Sequence, residues 1–312
     1  MVERKPIVVV GSINIDLVAT AERIPVVGET VVGRDFQAHH GGKGANQAVA
    51  IAQLGYPVEL IGRLGSDRFG EDLRKGLQHA GVNIAGVRQV EGSSGVAVIV
   101  VSLLGENCIV VTPGANATLS PEDLEDHVEQ IRSAGLVLAQ LEIPISTVQR
   151  LAEICSRYGV PFMLDPAPAQ SLPDKLLALV TWFTPNETEA GFFVNESIQK
   201  ESDSTDTTAM MRVLMRTGVA NVLLKMGERG VHIGTAEGVL QAQAAFSVSA
   251  VDTTAAGDAF NGAFAVALMS GKSPIESARF ASAAAAISVT RKGAQPSMPT
   301  LEEVQSLLQA VD

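Results

Sequence analysis

The run Ile7-Val8-Val9-Val10 is apolar at every position and stops at Gly11, the pattern of a strand buried on both faces in a parallel sheet. Further on, strand and helix patterns alternate regularly. Val58 to Ile61 predicts a strand, and Asp67 caps a helix running through His79. Ser120 caps another, with Asp123 in a capping-box position. Gly135 to Leu141 reads as a strand ending at Glu142, and Thr147 to Tyr158 as a helix. Pro161 to Leu164 leads into DPAPA, Trp182 and Phe183 into TPNETEA, and Val222 to Leu224 into Lys225. Phe246, Val248 and Val251 predict a strand end that feeds a helix carrying Phe260, Phe264, Ala267 and Leu268 on one face. Pro274 to Thr290 is an Ala-rich helix, Thr300 and Glu303 open a last one, and Gln199 to Thr208 is a polar surface connection.

Two segments break this rhythm. Leu17 to His40 alternates apolar residues with the turn signals Pro25, Gly28 and Gly33. Gly95 to Val101 and Cys108 to Val111 flank a turn at Leu104 to Asn107. They predict two hairpins of a small β-sheet lid, formed by about 17–40 and 95–112 and inserted in an α/β core. Gly95 to Val101 is apolar on both faces, so the lid needs a cover, and a second subunit supplies one economically.

Composition narrows the class. The chain has 312 residues, 46% hydrophobic but only 4% aromatic, with 29 glycines, which suits an Ala/Val/Leu-packed α/β enzyme. A formal net charge of -11 argues against nucleic acid or an anionic membrane as partner. Any nucleotide must then be held by local features. Cys108 and Cys155 fit neither a disulfide framework nor a metal site and read as buried thiols of a reducing compartment. The N-terminal apolar run is too short for a signal peptide, and none approaches the ~20 residues of a membrane span. The expectation is a soluble, cytoplasmic protein.

Candidate chemistry clusters where strands end. Ala255, Ala256 and Gly257 at a helix start can bring backbone N–H groups close to an anion, which the helix dipole favours. Asp258 beside them is either a helix cap or a fixed base. Asn14 and Asp16, two apart after the first strand, share one face in extended chain and suit sugar hydroxyls. In GGKGANQA, Lys43 and Asn46 at a helix N-terminus could reach a polyhydroxylated ligand, and Gly44 rules out a Walker A loop. Asn186 and Glu189 stand three apart at a helix start, either as first-turn polar residues or as organisers of a hydrated Mg²⁺. Lys225, Met226, Gly227, Glu228, Arg229 and Gly230 form a hairpin turn or a close nucleotide approach, and Arg291 to Pro299 could offer carbonyls and the Ser297 hydroxyl to a cation. His39 and His40 lack metal-ligand companions. No G-x-G-x-x-G follows the first strand, so a dinucleotide fold loses its main support.

Taken together, GSINID, GGKGANQA, PNETEA, DTTAAGDAF and RKGAQPS resemble, in order, the ribokinase branch of the PfkB carbohydrate kinase family. The resemblance runs from Val8 to about Pro299. It implies a single domain over 1–312: a doubly wound, mostly parallel sheet flanked by helices, with the β lid. It further implies ATP-dependent phosphorylation of D-ribose to D-ribose 5-phosphate, with 2-deoxyribose the nearest alternative and a non-catalytic sugar sensor a distant one. By resemblance Asp258 is the base, and the N–H groups of Ala255, Ala256 and Gly257 form the anion hole. Asn14, Asp16, Gly42, Lys43, Gly44, Asn46, Glu142 and Asp258 match sugar-contacting positions. Asn186 and Glu189 match the Mg²⁺–phosphate motif, Lys225 to Gly230 and Gly257 the nucleotide site, and Ser282 stands where family members carry Asn near the adenine. An activating K⁺ would be served by Asp252, Thr254, Ser288, Arg291, Gly293 and Ser297, and a homodimer would form through the lid.

Overall fold

Ile7–Val10 forms β1, and its alternating side chains enter two different cores: Ile7 and Val9 on one face, Val8 and Val10 on the other. The computed structural model describes residues 4–197, 207–235, 238 and 240–311. The remaining strands are β2 Asn14–Ala21, β3 Gly33–Gly41, β4 Val58–Gly65, β5 Asn83–Val90, β6 Gly95–Ser102, β7 Asn107–Thr112, β8 Leu136–Ala139, β9 Phe162–Leu164, β10 Trp182–Phe183, β11 Asn221–Lys225, β12 Val231–Gly234 and β13 Leu240–Gln243. The helices are α1 Lys43–Gln53, α2 Arg68–His79, α3 Val128–Ser133, α4 Ile145–Tyr158, α5 Asp174–Leu177, α6 Glu187–Ser197, α7 Thr207–Arg216, α8 Ala256–Met269, α9 Pro274–Ser288 and α10 Leu301–Val311.

Nine strands make one sheet in the order β13-β12-β11-β10-β9-β8-β1-β4-β5. Neighbours from β5 across to β11 are parallel, and β12 and β13 add antiparallel. Helices α1, α2 and α8 to α10 bury one face, and α3 to α7 the other. This is the doubly wound architecture expected. The chain leaves β1 toward β4 and returns on the other side at β8. That reversal opens a crevice beyond the strands' C-terminal ends, where ligands bind in such sheets.

The second sheet has four strands, in the order β3-β2-β6-β7. Each predicted hairpin is antiparallel, and the parallel pairing of β2 with β6 joins them. The first strand of this sheet starts earlier than the expected 17, at Asn14, so Asn14 and Asp16 belong to the small sheet, in the extended chain expected of them. Phe36, Val98, Ile109, Val110 and Val111 are exposed on it.

Three expectations need correction. Phe246, Val248 and Val251 form no strand: the sheet ends with β13 at Gln243, the segment beyond it pairs with no strand among the described residues, and Val248 and Val251 are exposed. The Val251 and Asp252 N–H groups instead both donate to the Val289 carbonyl. Cys155 is buried, but Cys108 is exposed, because it lies on the edge strand β7, every residue of which faces solvent. Ser120 and Asp123 exchange the capping-box hydrogen bonds, but the element they open is a 3-10 turn, Glu122–His127, ahead of the short α3. The polar connection expected from Gln199 to Thr208 lies outside the described residues up to 206; Thr207 and Thr208 open α7.

Candidate active site

Helix α8 starts on a strained residue. Ala255 is its N-cap, with a left-handed φ of 58°, the one positive φ outside glycine among the described residues. Such a conformation costs about 1–3 kcal/mol and persists only where the surroundings impose it. The Ala256 N–H turns back to the Thr253 carbonyl at 3.2 Å, and the first α-helical bond runs from Ala259 to Ala255 at 2.9 Å. Gly257 lies between them in the opening turn, and its missing Cβ keeps that turn accessible.

Asp258 does not cap the helix. No side chain caps α8; Asp258 is its third residue, in the first turn, 4% exposed, and faces α1. Its Oδ2 accepts from Asn46 Nδ2 at 3.0 Å and its Oδ1 from Gln47 Nε2 at 3.1 Å. Burial raises its pKa; the Lys43 charge opposes that, and Asp165 adds to it. The result is a buried carboxylate in fixed orientation at the positive end of a helix.

Helix α1 supplies the opposite wall. Its N-cap, Gly42, has φ 88°, and a Cβ there would lie 2.7–2.9 Å from the backbone of Ser12, Ile13 and Asn14, so only glycine fits. Because Gly42 offers no side chain, Glu142 reaches over to cap the helix: its Oε2 accepts from the Lys43 N–H at 3.0 Å and from the Ser12 hydroxyl. Burial works to lower the Lys43 pKa, but Asp258, Asp165, Glu142 and Glu189 around it raise it overall. Asn46 Oδ1 is buried and has no hydrogen-bond partner among the described residues.

The start of β2 closes another side. Asn116, in a short 3-10 turn, holds it by accepting from the Ile13 N–H at 2.9 Å and donating to Asn14 Oδ1 at 2.7 Å. Asp16 lies over Gly41, and burial together with Glu142 and Asp258 pushes its pKa up to about 6. Asn14, Asp16, Lys43, Asn46, Glu142 and Asp258 are thus gathered around one crevice, with Gly42 and Gly44 in its floor.

Beyond Asp258 lies a second polar layer. Asp165, at the end of β9, accepts from Gln47 Nε2 at 3.0 Å through Oδ2 and from Lys225 Nζ at 3.0 Å through Oδ1. Gln140 Nε2 donates to Gln47 Oε1 at 2.7 Å and fixes that amide's orientation. Asn186 and Glu189 form a complete reciprocal cap on α6, and the Glu189 pKa is raised by burial and Asp165. Lys225 to Gly230 is the tight β11–β12 turn, closed by Met226 N–H to Gly230 carbonyl at 2.8 Å, with Arg229 paired to Glu187. Ser282 lies buried on α9.

The expected cation residues also meet. Asp252 Oδ2 accepts from the Gly293 N–H at 2.8 Å, Oδ1 from the Thr254 N–H at 2.9 Å, and the buried Ser288 and Ser297 hydroxyls stand 2.8 Å apart. The Arg291 side chain turns away to Glu303, which leaves only its backbone for such a site.

Gln47, Asp165, Gln140 and Asn116 were not singled out from the sequence. The strand-terminal position of Asp165 matches that of Glu142 and could have marked it; the other three carry no local signal.

Residues 4–301 match the pfkB family carbohydrate kinase. A ribokinase of Haemophilus influenzae is 41% identical over 307 residues, covering 98% of this chain and 99% of its own. A deoxyribokinase of Salmonella typhi is 36% identical, covering 97% and 98%. The structure of Arabidopsis thaliana ribokinase complexed with ribose and ATP superposes with a TM-score of 0.91 at 37% identity, covering 98% of this chain and 99% of that one. On the extent of the match and the shared fold, the chain belongs to the pfkB family of carbohydrate kinases.

Proposed function

We propose that the protein phosphorylates D-ribose on its primary hydroxyl with ATP, releasing ADP and D-ribose 5-phosphate. The observation that carries this is Asp258: a buried carboxylate held by Asn46 and Gln47 at the N-terminal turn of α8. Asn14, Asp16, Lys43, Asn46 and Glu142 bind the sugar beside it, with Gly42 and Gly44 letting the start of α1 pack on the Gly11–Asn14 backbone that frames the site. The unpartnered Asn46 Oδ1 takes a sugar hydroxyl. Asp258 accepts the hydroxyl proton as O5 attacks the γ-phosphorus, and the N–H groups of Ala255 and Gly257 receive the transferred phosphoryl group, joined by that of Ala256 when it leaves the Thr253 carbonyl. Its carboxylate is a weak base, which suffices because the proton moves late in a loose transition state.

Residues Lys225 to Gly230 and Ser282 line the nucleotide side. The oxygen donors of exposed Asn186 and buried Glu189 fit a hydrated magnesium ion, which when bound neutralises phosphate charge. The all-oxygen set of Asp252, Thr254, Ser288, Ser297 and the backbone of Arg291 and Gly293 fits K⁺, which when bound stiffens the loop carrying the anion hole. The four-stranded sheet acts as a lid on a single 1–312 domain, and its exposed apolar residues pair two copies into a homodimer. The protein works in the cytoplasm.

The similarity to a deoxyribokinase keeps 2-deoxyribose as the second candidate acceptor. A coupled ADP-release assay over ribose, 2-deoxyribose, fructose and nucleosides, with and without K⁺, separates them. Ribose turned over fastest, and faster with K⁺, is the expected result. Equal turnover of 2-deoxyribose refutes the ribose assignment.

A further inference from the structure

We infer that Lys225 is a catalytic cation for the transferred phosphoryl group, held in place by Asp165. Five carboxylates surround the crevice — Asp16, Glu142, Asp165, Glu189 and Asp258 — within a chain of net charge -11. A triphosphate entering there meets a repulsive field unless cations stand at the point of contact. The α8 N-terminus offers only about half a charge. Lys43 is surrounded by Asp258, Asp165, Glu142 and Glu189. Lys225 is placed differently. Among the described residues, its Nζ is the one atom within 4 Å of where a Gly257 Cβ would stand, at 3.7 Å, once the two chain neighbours and the helix's own backbone are set aside. The ammonium thus borders the opening of the anion hole.

An ammonium has three donors. Among the described residues Asp165 Oδ1, at 3.0 Å, is the acceptor that meets one of them. The lysine side chain is 14% exposed and Asp165 4%, so the remaining donors face the crevice rather than bulk water. Asp165 is itself immobilised, because Gln47 Nε2 binds its other oxygen and the same nitrogen binds Asp258. One amide therefore fixes the base and the holder of the cation in a single frame. In the transfer, the O5–Pγ bond forms as the bond from Pγ to the ADP oxygen breaks. The hydroxyl proton passes to Asp258, and Lys225 keeps its protons throughout, stabilising charge on the equatorial oxygens. Asp165 is a positioning residue that touches no substrate.

This rests on the kinase activity proposed above, so the test separates the two. Lys225→Met strands the buried Asp165 charge and could fail to fold; the double variant Lys225→Met/Asp165→Asn removes both charges together and keeps the pair's shape. Titration calorimetry with ATP and with ADP, in Mg²⁺ buffer without sugar, reads the γ-phosphate contact directly. The double variant is expected to lose about 10-fold or more in ATP affinity while ADP affinity stays within about 3-fold. Its kcat on ribose falls by about 100-fold or more at unchanged ribose Kd, and Lys225→Arg restores most of it. ATP and ADP weakened equally, or kcat within about 3-fold of the parent, overturns the role of Lys225. A parent protein inert toward ribose would refute the acceptor assignment instead, and the ATP/ADP ratio would still decide on Lys225.

Discussion

Replacing Asp16 with Asn removes a charge that the unliganded fold holds at a cost. Burial and the facing charges of Glu142 and Asp258 raise its pKa from 3.8 to about 6. One pKa unit corresponds to about 1.4 kcal/mol, so the ionised carboxylate destabilises the empty protein by about 3 kcal/mol. The sign follows from proton counting. Between pH 3.8 and about 6 the folded chain retains a proton that the unfolded chain has released, so stability falls as pH rises through that window. Asp16→Asn lacks this dependence. Thermal unfolding of both proteins without sugar, at pH 4, 5, 6 and 7.5, gives nearly equal stability at pH 4. By pH 7.5 the variant gains up to roughly 5 °C in Tm. The same variant is expected to weaken ribose binding at pH 7.5, because the proposed sugar contact loses an ionised acceptor. In the parent protein, ribose affinity declines as pH drops through about 6. Unfolding curves that stay parallel across the range would show that Asp16 is not held at this cost, and the electrostatic account of the crevice would be wrong.

Three other outcomes follow. Gly42→Ala forces a Cβ against the backbone of Ser12, Ile13 and Asn14 at a φ of 88°; denaturant unfolding should show a loss of about 1–3 kcal/mol, with ribose KM raised. Asn116→Ala strands the buried Ile13 N–H and frees Asn14; it costs about 1–3 kcal/mol and raises ribose KM more than it lowers kcat, and an unchanged KM would deny Asn116 any part in placing Asn14. Val98→Asp/Val110→Asp on the small sheet converts a dimer to a monomer in sedimentation velocity; a parent that already sediments as a monomer would rule out dimerisation through the lid.

Much of the fold was legible because its signals are local. The apolar run of β1, the Asp67 cap of α2 and the Thr300–Glu303 box each depend on residues close in sequence, and each is present. The segment from Phe246 to Val251 misled because apolar residues suggest a strand only where a neighbour can pair with it. Asp258 carried an ambiguous signal: an acidic residue after Gly257 fits the cap and the first turn equally, and only the left-handed Ala255 shows which residue caps. The second polar layer was invisible for a different reason. Gln47 reaches Asp258 across 211 positions and Asp165 across 118, while Asn116 reaches Asn14 across 102. No spacing along the chain encodes such contacts; the packing of α1 on α8 and the crossing of the two sheets create them.

Asp258 is assigned to take the proton from the acceptor hydroxyl. Its most direct test compares kcat of Asp258→Asn with ribose binding by calorimetry under the same conditions. The expected result is a fall in kcat of about 1000-fold or more with ribose Kd within about 3-fold of the parent. A variant that retains kcat within about 10-fold would contradict it.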